Sequence, residues 1–298
     1  MTQAKSDNGA ENPEFKRLFK TPKMAWPTLG LFFACLANLG FIDYHALTGG
    51  IPLWVATVLN GIVTYFFFSV VHDSSHGAIS SNKRVNDTLG AIGMVFFGPL
   101  ATIRLACWIH MQHHRFSNDP EKDPDYFGHK IDIFTPLRWL NFDYYYTKFF
   151  LQHSGSMRKK LAPRLILQVV FVVAVVAVAS VYGYGLEIVM LWLLPTRISS
   201  ALFVMMFVYL PHAPFFATAK EDEYQASNIR VGWEWLLTPL MAYQNYHLAH
   251  HLYPRVPFYR LSAVWQSRLE HHLSNDPFFV KAFEVGKKTE APNYKGGN

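Results

Sequence analysis

Three stretches of the chain, residues 24–42, 51–71 and 165–183, contain no Lys, Arg, Asp or Glu. Each is close to the roughly 20 apolar residues that a helix needs to cross a bilayer. A fourth apolar run, 186–212, is interrupted by Pro195-Thr196-Arg197. Burial inside a soluble protein does not account for several such runs recurring in one chain of 298 residues. The expected fold class is therefore an all-α polytopic membrane protein. It has about four transmembrane helices, with re-entrant or interfacial helices between them.

The order of segments supports this. Residues 1–23 form a polar arm with Lys16, Arg17, Lys20 and Lys23 just before the first span. Its first twelve residues have no hydrophobic core, so no cleavable signal is expected and the first span stays in place. Spans at about 24–46 and 51–71 flank a turn, Thr48-Gly49-Gly50-Ile51-Pro52, without positive charge. Residues 88–103 are apolar but short and broken by Gly90, Gly93, Gly98 and Pro99, which reads as re-entrant or interfacial. Residues 126–160 mix Tyr144, Tyr145, Tyr146, Phe149 and Phe150 with Arg138, Lys148, Arg158, Lys159 and Lys160, as a headgroup-level segment does. A third span lies at about 164–183 and a fourth within 186–211, bent or split at Pro195, with the crossing of 186–194 left open. A surface helix over 259–273 and a polar tail, 274–298, close the chain, so that 24–273 is the membrane domain.

Four spans put both termini on one side, together with nearly all Lys and Arg. By the positive-inside rule that side is the cytoplasm, as for a bacterial inner membrane or its equivalent. Arg197 is the exception and is expected at the outer interface. The net charge of +6 thus reports orientation rather than nucleic-acid binding. The two cysteines, Cys35 and Cys107, form no CxxC pair and suggest neither a zinc ribbon nor a disulfide scaffold.

The same side carries His72-x-x-x-His76, His110-x-x-His113-His114 and His247-x-x-His250-His251. Spacings of three and four residues put side chains on one helix face. Neutral imidazole is a good ligand for zinc, copper, iron and nickel. Eight histidines are too many for one ion, so two metals with about four nitrogens each is the economical arrangement, a histidine-rich di-metal cap on the cytoplasmic face. His212, where the fourth span ends on that face, is a ninth candidate. Asp73, Asp119, Asp123, Asp125, Gln244 and Asn245 lie close enough in sequence to orient the imidazoles, or else cap helices and loops. His45, His129, His153, His271 and His272 fall outside the pattern and read as interface or surface residues. There is no HExxH, no Glu-x-x-His and no Gly-x-Ser-x-Gly, which prunes zinc proteases, soluble carboxylate di-iron bundles and serine hydrolases.

The three histidine boxes, their order and the two spans between the second and third resemble the membrane fatty acid desaturase superfamily over roughly residues 50–260. The stretch Tyr209-Leu210-Pro211-His212-Ala213-Pro214-Phe215, the acidic tail after His114 and Asn245-Tyr246-His247 resemble its carotenoid hydroxylase and ketolase members. The resemblance implies two iron ions without haem, held by the eight box histidines and His212. It also implies dioxygen as oxidant and a lipid substrate in a tunnel beneath the metals. Such an enzyme oxidises an unactivated C–H bond, by desaturating an acyl chain or by hydroxylating a carotenoid or lipid. It draws two electrons from a separate ferredoxin, rubredoxin or small haem protein, since the chain has no haem-binding or cysteine-rich electron-transfer segment. A histidine-rich metal transporter or sensor, or a non-catalytic family member, is the alternative. A transporter should carry ionisable groups inside its spans, and these have few.

Overall fold

The structure, a computed structural model, describes residues 12–213 and 217–292. Residues 1–11 of the arm, Pro214 and Phe215 of the ketolase-like stretch, and 293–298 of the tail lie outside the described residues. A short helix, α1 (Pro13–Phe19), precedes two long ones, α2 (Trp26–Leu47) and α3 (Leu53–Ser75). Then come α4 (Lys83–Phe97), α5 (Ile103–Phe116), α6 (Thr135–Leu140), α7 (Phe142–His153) and α8 (Met157–Val181). The next helix, α9, runs Gly185–His212. Short helices α10 (Glu234–Leu240), α11 (His247–Leu252), α12 (Leu261–Ser267) and α13 (Leu269–Leu273) follow. Two short strands, β1 (Asn228–Val231) and β2 (Phe278–Lys281), pair in parallel with Asn228 opposite Phe278.

Four of the helices, α2, α3, α8 and α9, are long and apolar enough to cross a membrane. Their ends follow from the sequence. Pro27 sits in the first turn of α2, where its missing N–H costs nothing. Gly49, at φ 79°, turns the chain from α2 towards α3. Asn82 caps α4 through the Arg84 N–H at 2.9 Å, and Thr102 caps α5 through the Leu105 N–H at 3.3 Å. Between them the chain breaks at Gly98 and Pro99, two of the four breakers expected in 88–103. At 15 residues, α4 spans about 22 Å and falls short of a bilayer's hydrocarbon core.

The middle of the bundle is α3. The neighbouring α9 comes so close at Gly61 that a Cβ there would sit 2.6 Å from the Ile198 Cβ. The whole of 185–212 is helical, so residues 186–194 belong to one continuous span-length helix. Two π-helical turns, Val189–Leu193 and Val204–Tyr209, lie within it. In the first of these, α3 supplies partners for the carbonyls: Thr57 Oγ1 donates to Met190 O at 2.7 Å and Asn60 Nδ2 to Leu191 O at 3.1 Å. Arg197 follows Pro195 without ending the helix. It lies within α9 and makes a two-pronged ion pair with Asp143 of α7, at 2.9 and 3.1 Å. The partly buried guanidinium is tolerable because it is paired and further bonded to Leu140 O.

A second core caps the histidine end of the bundle. There α1 packs on α12 and α11, with Trp265, Leu261, Leu248 and Ile229 fully buried. His272 belongs to this core rather than to the surface expected for it: it stacks on Trp265 at 4.3 Å and is bonded to Tyr224 Oη. Arg230, 1% exposed, donates to the carbonyls of Lys281, Ala282, Glu284 and Leu210. It ties β2 and the loop after it to the end of α9.

Candidate metal centre

His72 is the last-turn histidine of α3, and His76 follows at its C-cap. His110, His113 and His114 come from the last two turns of α5, His212 from the end of α9, and His247, His250 and His251 from α11. The structure brings all nine together as two groups. In the first, Nε2 atoms form a chain: His76 to His110 at 2.8 Å, His110 to His114 at 3.2 Å, His114 to His250 at 2.9 Å and His250 to His72 at 3.0 Å. In the second, His247 Nε2 lies 3.1 Å from His212 Nε2 and 3.1 Å from His251 Nε2, with His113 completing the set. His114 and His251 stack at 4.3 Å, one from each group.

These nitrogens cannot satisfy one another. Each Nε2 of a neutral imidazole has either one N–H or one lone pair. A chain of five in mutual contact therefore leaves several without a proper partner, and His113 Nε2 is buried with no hydrogen bond at all. A metal ion resolves this. Two imidazole nitrogens at right angles on one ion, each about 2.1 Å away, lie about 3.0 Å apart. The donor set thus fits a metal in each group.

Burial, reinforced by the neighbouring imidazoles, pushes His76, His110, His114, His247, His250 and His251 well below the usual histidine range. They are neutral at pH 7 and offer lone pairs. His113 differs. Burial opposes its charge, but Asp123 and Asp125 outweigh that and raise it to about 9. Its Nδ1 lies 3.0 Å from Asp123 Oδ1 and 3.4 Å from Asp125 Oδ2. The two carboxylates call for positive charge on this imidazole, supplied at Nε2 by a proton or by a metal.

The residues expected to orient the imidazoles separate into two sets. Asp123 and Asp125 hold His113, and Gln244 Oε1 accepts from His247 Nδ1. Asp73 instead accepts from Thr28 Oγ1 at 2.8 Å and from the Phe258 N–H at 3.1 Å, with His72 Nδ1 no nearer than 4.0 Å. Asp119 accepts from the Glu121 and Lys122 N–H groups in its own turn, and Asn245 Nδ2 donates to Thr238 Oγ1. Two contributors escaped the sequence reading. The Ala226 carbonyl lies 2.9 Å from His212 Nδ1, and a backbone oxygen has no sequence signature. Tyr146 Oη donates to Asp125 at 2.7 Å; nothing in the run Tyr144-Tyr145-Tyr146 sets it apart.

A cavity of about 420 Å³ leads up to the histidines. Phe68, Phe97, Phe142 and Phe203 form its walls, and His110, Asp125 and Tyr146 its inner end. A further space of about 10 Å³ continues between the groups, bounded by His110, His113, His247 and Phe207.

The chain is similar to known proteins over most of its length. Residues 49–276 match the family model described as fatty acid desaturase. A beta-carotene ketolase of Paracoccus sp. (strain PC1) is 28% identical over 242 residues, covering 78% of this chain and 90% of that protein. A chloroplastic omega-6 fatty acid desaturase of Glycine max is 26% identical over 288 residues, covering 87% of this chain and 66% of its own length. An acyl-lipid (7-3)-desaturase of Rebecca salina is 24% identical over 296 residues, covering 84% of this chain and 64% of that protein. With the family model matched over most of the chain, and with four span-length helices and clustered histidines among the described residues, the chain belongs to the fatty acid desaturase family.

Proposed function

We propose that the protein is a membrane oxidase of lipid hydrocarbon that works with two iron ions. One is held by His72, His76, His110, His114 and His250, the other by His113, His212, His247 and His251. The observation that carries this is the convergence of nine imidazoles, of which His110 closes the inner end of an apolar cavity. The Nε2 contacts near 3 Å support nitrogens that share one ion rather than hydrogen-bond one another. When bound, the iron ions supply the activation of dioxygen that breaks an unactivated C–H bond.

The chain's own residues do the rest. Phe68, Phe97, Phe142 and Phe203 hold a hydrocarbon chain and exclude water from the inner end of the cavity. Asp123, Gln244 and the Ala226 carbonyl fix the direction in which His113, His247 and His212 present Nε2. Desaturation converts the substrate, dioxygen, two electrons and two protons into the alkene and two waters. Hydroxylation of the same carbon gives the alcohol and one water. Position on the scale of an ångström decides between them. The electrons come from a separate one-electron carrier, a ferredoxin, rubredoxin or small haem protein, that meets the basic, cytoplasmic face. Both termini share that face.

The test is metal analysis of the detergent-purified protein, followed by incubation with dioxygen, a reduced carrier and either an oleoyl phospholipid or β-carotene. Bound iron, and a new alkene or an oxygenated ring, are expected. Zinc in place of iron, or a full iron complement without oxidation of either substrate, overturns the proposal.

A further inference from the structure

The residues lining the cavity are not equally enclosed. Phe97, Phe142 and Phe203 are 2%, 6% and 4% exposed, whereas Leu100, Tyr144 and Val169 are 40%, 61% and 37% exposed. The cavity therefore closes at the histidines and opens where α8 faces the turn between α4 and α5. That helix stands off the bundle: only 6% of its apolar window is buried, and Leu161 and Val172 are its two buried residues. Leu161, Leu165, Gln168 and Val172 repeat at helical spacing on the face turned inward.

Gln168 is the only polar side chain between Arg164 and Ser180. Its Nε2 donates to the Pro99 carbonyl at 3.0 Å. That carbonyl belongs to the break at Gly98 and Pro99, where α4 stops, and in hydrocarbon it needs a donor. The bond lies beside Leu100 and Val169 and so crosses the rim of the opening. One turn before it, about 6 Å along the helix, is Arg164, preceded by Arg158, Lys159 and Lys160. The opening thus lies just below a band of cations of the kind that sits among lipid headgroups.

We infer that the cavity fills sideways from the bilayer, through the gap between α8 and the Gly98–Ala101 turn, with the Gln168–Pro99 hydrogen bond as its latch. The substrate is then the hydrocarbon chain of a molecule already dissolved in the membrane, not a water-soluble thioester. This rests on the cavity being the substrate site of the proposed oxidase, and it narrows the class of substrate.

The inference is tested by labelling rather than turnover. The full-length, metal-loaded protein is placed in phosphatidylcholine vesicles containing a trace of phosphatidylcholine with a diazirine on one acyl chain. Photolysis and peptide mapping should find label on the Phe97 and Phe142 peptides. Gln168→Trp, which plugs the gap, should lower that labelling by about tenfold, as gating of an entry path does. Gln168→Ala, which removes the latch, should speed it roughly threefold, the range expected for loss of one hydrogen bond. Val169→Trp carries the plugging test if the first variant does not keep wild-type metal content. Wild-type labelling in a plugged variant overturns the inference. So does labelling of the interior by an aqueous diazirine acyl-CoA but not by the lipid. Metal content, read on the same samples, tests the di-iron proposal separately.

Discussion

The two histidine groups solve the same problem by different means. Four of the five in the first group, His72, His76, His110 and His114, stand on α3 and α5 or at the α3 C-cap, and α3 is the best buried helix of span length. Their direction comes from packed backbone, and His72 Nδ1 and His250 Nδ1 have no hydrogen bond behind them. The second group takes His212 from the three residues that follow a π-helical turn, and His247 and His251 from a six-residue helix. There each of three imidazoles is held from behind: His113 by Asp123, His212 by Ala226 O and His247 by Gln244. The group drawn mostly from long, packed helices has few anchors behind its imidazoles, and the group that relies on short elements for His212, His247 and His251 has more, His113 on α5 included.

The largest effect should come from the residue on which the first group closes. His250 Nε2 touches both His72 and His114. His250→Ala should therefore abolish oxidation and release half of the bound metal, measured by metal analysis beside a turnover assay. Retention of the full complement would break the division into two groups.

Next is Asp123→Asn. It keeps the shape but removes the charge that His113 answers. If the second group depends on its anchors, its metal affinity should fall about 10- to 100-fold, read by chelator competition. The first group should be unchanged. A uniform loss across both groups would mean that Asp123 holds the fold and not the imidazole.

The groups should also differ in pH dependence. With His113 raised to about 9, the metal-free second group carries a proton that the ion must displace at neutral pH. Its affinity should climb about tenfold per pH unit from about 7 towards 9 and then level off. The imidazoles of the first group outside the span, His76, His110, His114 and His250, lie well below their usual range and are already neutral. That group should show a flat profile above pH 7. Parallel profiles would remove the electrostatic half of the comparison.

The histidines were legible because ligand spacing on a helix is the spacing of one face. Their partners were less so. Asp119 and Asp123 sit four residues apart in one acidic segment, and composition does not separate them. What does is Asn118, whose φ of 67° turns the chain so that Asp123 folds back under His113 while its Oδ2 accepts the Asn118 N–H at 2.7 Å. His271 and His272 posed a similar problem: neighbours on one five-residue helix, the first is partly exposed and the second is buried and stacked on Trp265. The four long helices were evident from hydropathy. The continuity of α9 through Pro195 was not, because it depends on π-turn carbonyls finding Thr57 and Asn60 on another helix.

The smallest effect on metal should come from Asp73, although it is next in sequence to His72. Neighbouring positions on a helix point about 100° apart, so a side chain at i+1 does not support the one at i. Asp73 turns instead to Thr28 on α2 and to the Phe258 N–H, joining the start of the first long helix to the approach of α12. Asp73→Ala strands those two donors in a buried site and should cost about 1–3 kcal/mol of stability. Thermal unfolding would register the loss, while chelator competition at both groups stays within about twofold of wild type, the scatter expected for a site that only shares the fold. Asp73→Asn, which can still accept from both donors, should recover most of the stability. A tenfold loss of metal in Asp73→Asn would show that the first group needs an anchor after all, and that long helices do not suffice to aim its imidazoles.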